Sequence, residues 1–204
     1  MGARIRLTVI GFGLMFMLGL TGWLFLGTPG LPTSAAASQD ASGYAGAIRP
    51  EIPVQPLDGL TDEEGKPAKL GGDVTIVTFL YTNCEDSCPT TAQQIRAAID
   101  DLEDPPPVYA ISVDPVGDTR KTAKKFLSDQ SLLGRMRYMV GPPVALQRQW
   151  KVYGIQPQTR EDEHSLSTVI LDRTGRQRIG FPLDKMTPEG LAKDIETLRA
   201  EPSA

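Results

Sequence analysis

Hydrophobic and polar positions divide the chain into three stretches. Leu7–Leu26 is an unbroken apolar run with no charged side chain. From Gly27 to about Pro56 the residues are mostly Gly, Pro, Ser and Ala, with few large side chains and no hydrophobic period. From residue 74 onward, short β-branched runs alternate with stretches of helical period. Val74–Tyr81 is nearly continuously apolar, as expected of a strand covered on both faces. Pro89–Leu102 places Ile95, Ala98, Ile99 and Leu102 on one helical stripe. Val108–Val113 predicts a second strand. Asp118–Leu127 predicts a helix with Asp118 as its cap and Phe126 and Leu127 turned inward. Met136–Val140 is a short strand in which Met136 and Met139, three apart, face opposite sides. Val144–Tyr153 is a helix ended by Gly154. Leu166–Leu171 and Arg178–Phe181 form a hairpin through Asp172–Gly175. Thr187 caps a last helix running to about Arg199, with Pro188 in its first position. A hairpin around residues 52–70 is expected ahead of these elements.

Read in order, the elements run β-α-β-α-β-α-β-β-α. Such alternation predicts an α/β fold, a three-layer sandwich whose terminal hairpin makes the central sheet mixed. This is the pattern of a thioredoxin-like fold, which by itself does not set the chemistry.

The N-terminal run changes the picture from a free domain to an exported one. Twenty apolar residues at 1.5 Å each match a hydrocarbon core of roughly 30 Å. Residues 1–27 are therefore read as a transmembrane helix, or as a signal peptide cleaved near Ala35–Ala37. Arg4 and Arg6 keep its start cytoplasmic. Residues 28–51 are read as a flexible tether and 52–204 as the globular domain. Either reading of the leader exports the domain. The absence of an Arg/Ser-rich presequence points to a bacterial inner membrane with the domain in the periplasm, or to secretion after cleavage. Met15 and Met17 sit inside the apolar run and are read as packing residues.

Composition excludes several classes. The 204 residues are 40% hydrophobic and 23% charged, ordinary for a folded protein. A net charge of −4 without a basic cluster argues against nucleic-acid binding. Two cysteines and one histidine are too few for the common all-Cys/His zinc sites.

Both cysteines fall where the first long strand meets its helix, in Tyr81-Thr-Asn-Cys84-Glu-Asp-Ser-Cys88-Pro89. Sites in α/β sheets form beyond the carboxyl ends of strands. A helix N-terminus there favours thiolate over thiol. Four residues apart, Cys84 and Cys88 face the same side of a helical turn. They can close a disulfide or hold one soft metal ion. A static disulfide closing so short a loop adds little stability. His164 precedes the strand at Leu166 and, on local pattern alone, reads as a surface residue.

From about residue 74 to its end the chain resembles the Sco/SenC family of membrane-anchored, copper-binding thioredoxin-like proteins. Four segments carry the resemblance, in family order: Phe79–Pro89 with its two cysteines, Ser112-Val-Asp114-Pro115-Val-Gly-Asp118-Thr119, Trp150-Lys-Val-Tyr153-Gly154, and Asp162-Glu-His164-Ser165 through Gly175. Glu85 and Ser87 depart from it, standing where a proline and an aliphatic residue are common.

The resemblance implies that Cys84, Cys88 and His164 bind one copper ion, as Cu(I) or Cu(II). Two thiolates and an imidazole make a soft donor set suited to Cu(I) and able to take Cu(II). It implies a copper chaperone that takes the ion from a donor protein and supports metallation of a cytochrome c oxidase subunit. An enzymatic alternative is a thiol–disulfide oxidoreductase in which Cys84 and Cys88 cycle between dithiol and disulfide, reducing oxidase-subunit cysteines. A thiol peroxidase with Cys84 attacking and Cys88 resolving ranks below both. Asp114 could orient the site or merely end its strand, and Asp118 could do so or merely cap a helix.

Overall fold

The computed structural model describes residues 43–50, 52–53, 56–156 and 167–202. The expected membrane helix, the first part of the tether and His164 lie outside these described residues. Among the described residues no helix is long and apolar enough to cross a membrane.

Six strands are described: β1 (Ala47–Ile48), β2 (Thr75–Leu80), β3 (Val108–Ser112), β4 (Arg137–Met139), β5 (Ser167–Leu171) and β6 (Gln177–Pro182). Four α-helices accompany them: α1 (Ser87–Asp100), α2 (Arg120–Asp129), α3 (Pro143–Tyr153) and α4 (Pro188–Ala200), the last preceded by a 3-10 turn at Leu183–Lys185. The strands form one sheet in the order β1-β6-β5-β2-β3-β4. β2, β3 and β4 are parallel, with Phe79 beside Ile111 and Ala110 beside Tyr138. β5 runs antiparallel to β2, β6 to β5, and β1 to β6. The sheet is therefore mixed, as the terminal hairpin predicts.

All six residues of β2 are buried, which explains why the strand is apolar but for Thr75 and Thr78. Alternation along the strand divides them between two cores. Ile76 and Leu80 join Ile95 and Ile99 of α1, Leu127 of α2 and Ile195 of α4 on one face. Val77 and Phe79 join Leu146, Trp150 and Tyr153 of α3 on the other. There Phe79 and Tyr153 meet with ring centroids 5.0 Å apart at 59°. Met136 and Met139 point into opposite cores, as their odd spacing requires.

Three expectations are corrected. Residues 52–70 do not form a hairpin: among the described residues Pro53 bridges to Arg176 and Thr61 to Val140. Leu57 and Leu60 are buried in the α3 core, so this segment is held by distant partners rather than by itself. The domain also starts earlier than residue 52. Ala47 and Ile48 pair with Gly180 and Ile179, and Tyr44 is buried. Helix α2 begins after Thr119, not at Asp118. The Thr119 hydroxyl accepts from the Thr122 N–H while the Thr122 hydroxyl accepts from the Thr119 N–H.

Candidate metal centre

Strand β2 ends at Leu80, and the chain turns through residues 81–86 into α1. Cys88 lies in the first turn of α1 and is fully buried; Cys84 lies in the turn and is 8% exposed. Both thiols are free. Helix α1 has no side-chain cap at Asp86. The Cys84 sulfur takes that place, accepting the Cys88 backbone N–H at 3.2 Å. An N–H of the first turn is one of the donors a helix cannot satisfy internally. The Cys84 sulfur is thus bound at the positive end of the helix dipole, where negative charge is stabilised. Pro89 sits in the same first turn, where it removes an N–H that has no helical acceptor.

The two sulfurs are electrostatically unequal. Burial by itself raises the Cys84 thiol, but hydrogen bonds from the Cys88 thiol, the Ser87 hydroxyl, the Cys88 backbone N–H and the Tyr81 hydroxyl outweigh it and hold Cys84 below the ordinary thiol value. The Ser87 oxygen lies 3.3 Å from the Cys84 sulfur. Burial pushes the Cys88 thiol far up, and its hydrogen bond to Cys84 adds to the shift. Burial, and then the hydrogen bond to Cys84, push the Tyr81 phenol up to about 12, so it stays a donor. The two shifts run in opposite directions, so Cys84 is the sulfur that gives up its proton first and Cys88 the one that keeps it longer.

The turn is braced from the neighbouring strands. Asp118 is buried, 8% exposed, and its Oδ1 accepts the Thr82 N–H at 2.8 Å and the Thr82 hydroxyl at 2.7 Å. Its Oδ2 accepts the Ser112 hydroxyl at 2.6 Å and the Tyr138 hydroxyl at 2.8 Å. The expected capping role of Asp118 thus gives way to a tertiary one. Asp114 closes its own turn, its Oδ1 accepting from Val116 and Gly117 at 3.1 and 2.9 Å. A Cβ on Gly117 would lie 2.2 Å from Asp114 Oδ2, so any other residue there would push that carboxylate aside.

Of the three residues expected to hold a metal, the structure brings Cys84 and Cys88 together; His164 lies outside the described residues. Among the described residues no group of three or more His, Cys, Asp or Glu side chains is arranged to hold a metal ion. Two adjoining sulfurs, one favoured as thiolate, do fit a soft, thiophilic cation. Sequence reasoning missed the donors around Cys84. Ser87 registered there only as a departure from the family pattern, and Tyr81 only as part of a motif. Nothing local marks either as a sulfur partner.

The sequence profile of the SCO1/SenC family matches residues 57–200. A SCO2-like protein of Rickettsia prowazekii is 26% identical over 194 residues, spanning 86% of this chain and 86% of its own. Among solved structures, Bradyrhizobium japonicum ScoI with copper bound is 31% identical, with a TM-score of 0.54, over 68% of this chain and 95% of that one. BsSco, a member of the Sco family of cytochrome c oxidase assembly proteins in which a disulfide switch was identified, is 22% identical with a TM-score of 0.62. That match covers 72% of this chain and 94% of BsSco and speaks to the fold.

Proposed function

The chain belongs to the SCO1/SenC family, and from that premise we propose that it is a copper chaperone of cytochrome c oxidase assembly. Copper is its cargo, bound through Cys84, Cys88 and His164. The observation that carries the reading is the pair of free cysteines at the start of α1, joined by the hydrogen bond from the Cys88 N–H to the Cys84 sulfur. The bound ion, in either oxidation state, supplies the redox-capable centre that the recipient oxidase subunit needs. Cys84 meets it as a thiolate. Cys88 gives up its own proton on binding, so binding releases protons and weakens on acidification. The imidazole of His164 completes a three-donor set from which a soft ion can be passed on, whereas a structural zinc site closes with four. The N-terminal apolar run anchors the chain in a bacterial inner membrane and the domain works on the outer side.

Titration of the reduced protein with Cu(I) and Cu(II), followed by absorption spectroscopy, tests the reading. Near-stoichiometric binding is expected, and His164→Ala weakens it strongly while leaving disulfide exchange intact. A reduced protein that takes up no copper overturns the chaperone reading, and unchanged affinity in His164→Ala removes the histidine from the site.

The inequality of the two sulfurs favours a second reading on the same residues, thiol–disulfide exchange. The Cys84 thiolate attacks a partner disulfide, forming a mixed disulfide and releasing one partner thiolate, which takes up a proton. Cys88 then loses its proton and attacks Cys84, closing the Cys84–Cys88 disulfide and releasing the second partner thiol. Two electrons pass to the partner, whose reduced cysteines can then receive metal.

A further inference from the structure

Cys88 is fixed by helix α1, but Cys84 stands in a turn, so something must hold that turn at the right distance. We propose that Asp118 is the positioning residue that sets where Cys84 sits relative to Cys88. One carboxylate oxygen takes both polar hydrogens of Thr82, two residues before Cys84. The other is held by Ser112 at the end of β3 and Tyr138 on β4. The carboxylate is thereby a strut between the rigid sheet and the sulfur-bearing turn. Four donors also explain how a carboxylate can stand buried there, since each oxygen receives two hydrogen bonds in place of water. Ser112 is itself tied to the opposite core, its carbonyl accepting the Trp150 indole N–H at 2.9 Å. The turn is thus referred to both layers of the fold.

The metal-affinity part of this inference rests on the copper reading of the site; the placement of Cys84 does not. The test compares Asp118→Ala, Asp118→Asn and Ser112→Ala in the full reduced chain. Two readouts are taken: Cu(I) affinity by competition with a chelator, and the alkylation rate of Cys84 without metal. Asp118→Ala frees Thr82 and is expected to lower the affinity about 10-fold, in the range of losses when groups supporting a metal ligand are removed, and to shift the Cys84 alkylation rate. Asp118→Asn keeps an oxygen for Thr82, and its amide can donate to the hydroxyl oxygens of Ser112 and Tyr138. It should restore both readouts to near wild type. Ser112→Ala removes one of the two bonds on the far oxygen but leaves Tyr138 there and Thr82 held, so it should move both readouts much less than Asp118→Ala does. Should Asp118→Ala fail to fold, Thr82→Val removes one of the two bonds and is expected to weaken binding about threefold. Wild-type values in a folded Asp118→Ala, or in Thr82→Val, overturn the inference. So does a loss in Ser112→Ala as large as that in Asp118→Ala. A wild-type chain that binds no copper overturns the copper reading alone, because the alkylation rate still reports whether Asp118 places Cys84.

Discussion

The two sulfurs of the site sit in different surroundings, and the difference decides which of them reacts. Cys84 gathers four donors around its sulfur, while Cys88 is buried behind it. Because its titration is held below the ordinary thiol range, Cys84 remains a thiolate as the pH falls past the point where a free thiol would protonate. It loses its charge only at a lower pH. Cys88, raised by burial, stays protonated until well above that range. Alkylation by iodoacetamide, mapped by peptide mass as a function of pH, should therefore show an early inflection for Cys84 and slow, late labelling for Cys88. Coincident inflections would remove the inequality and, with it, the assignment of Cys84 as the attacking sulfur. The positions of both cysteines were legible in the sequence because they bracket a strand-to-helix junction. Their inequality was not, because it depends on how deeply each sulfur is buried and on which hydroxyls reach it.

At the scale of elements, local chemistry explains most of the boundaries. The Thr187 hydroxyl accepts the Gly190 N–H at 3.1 Å and Pro188 occupies the first helical position of α4, both as its sequence predicts. Helix α3 ends on Gly154 at φ 69°, a left-handed position that suits glycine. Thr187→Ala should cost about 1 kcal/mol, read as a lower urea midpoint with an unchanged denaturant slope. No loss would mean that packing of Leu191 and Ile195 alone sets the start of α4. Helix α2 is the instructive exception. Asp118 and Thr119 are both good caps by type, and the neighbouring strands decided between them. Buried hydroxyls from Ser112 and Tyr138 drew Asp118 inward, leaving Thr119 to form the cap with Thr122.

For the whole domain, the segment ahead of the first long strand works as a fastening. The carboxylate of Asp194 on α4 is fully buried and accepts the N–H groups of Ala45 and Gly46, both at 2.8 Å. A Cβ on Gly46 would press within 2.5 Å of Ile179, so the backbone lies flat against β6. β1 then covers the edge of β6 that would otherwise expose unpaired backbone groups. Asp194→Ala leaves two N–H groups without their acceptor and should cost about 2 kcal/mol in chemical unfolding. Stability equal to wild type would show that this segment is not part of the folded unit.

Taken alone, the sequence determined the strands and helices from β2 to α4, the hairpin of β5 and β6, and the placing of two cysteines at the start of a helix. Each of these is written in a local period or a short turn, where neighbours in the chain are neighbours in space. Tertiary structure decided the roles of Asp118, Asp194 and residues 43–70. Their partners lie far along the chain: Thr82 is 36 positions from Asp118, and Ala45 is 149 from Asp194. A buried polar group is satisfied by whichever donors the packed layers bring to it, and no local pattern records which those will be.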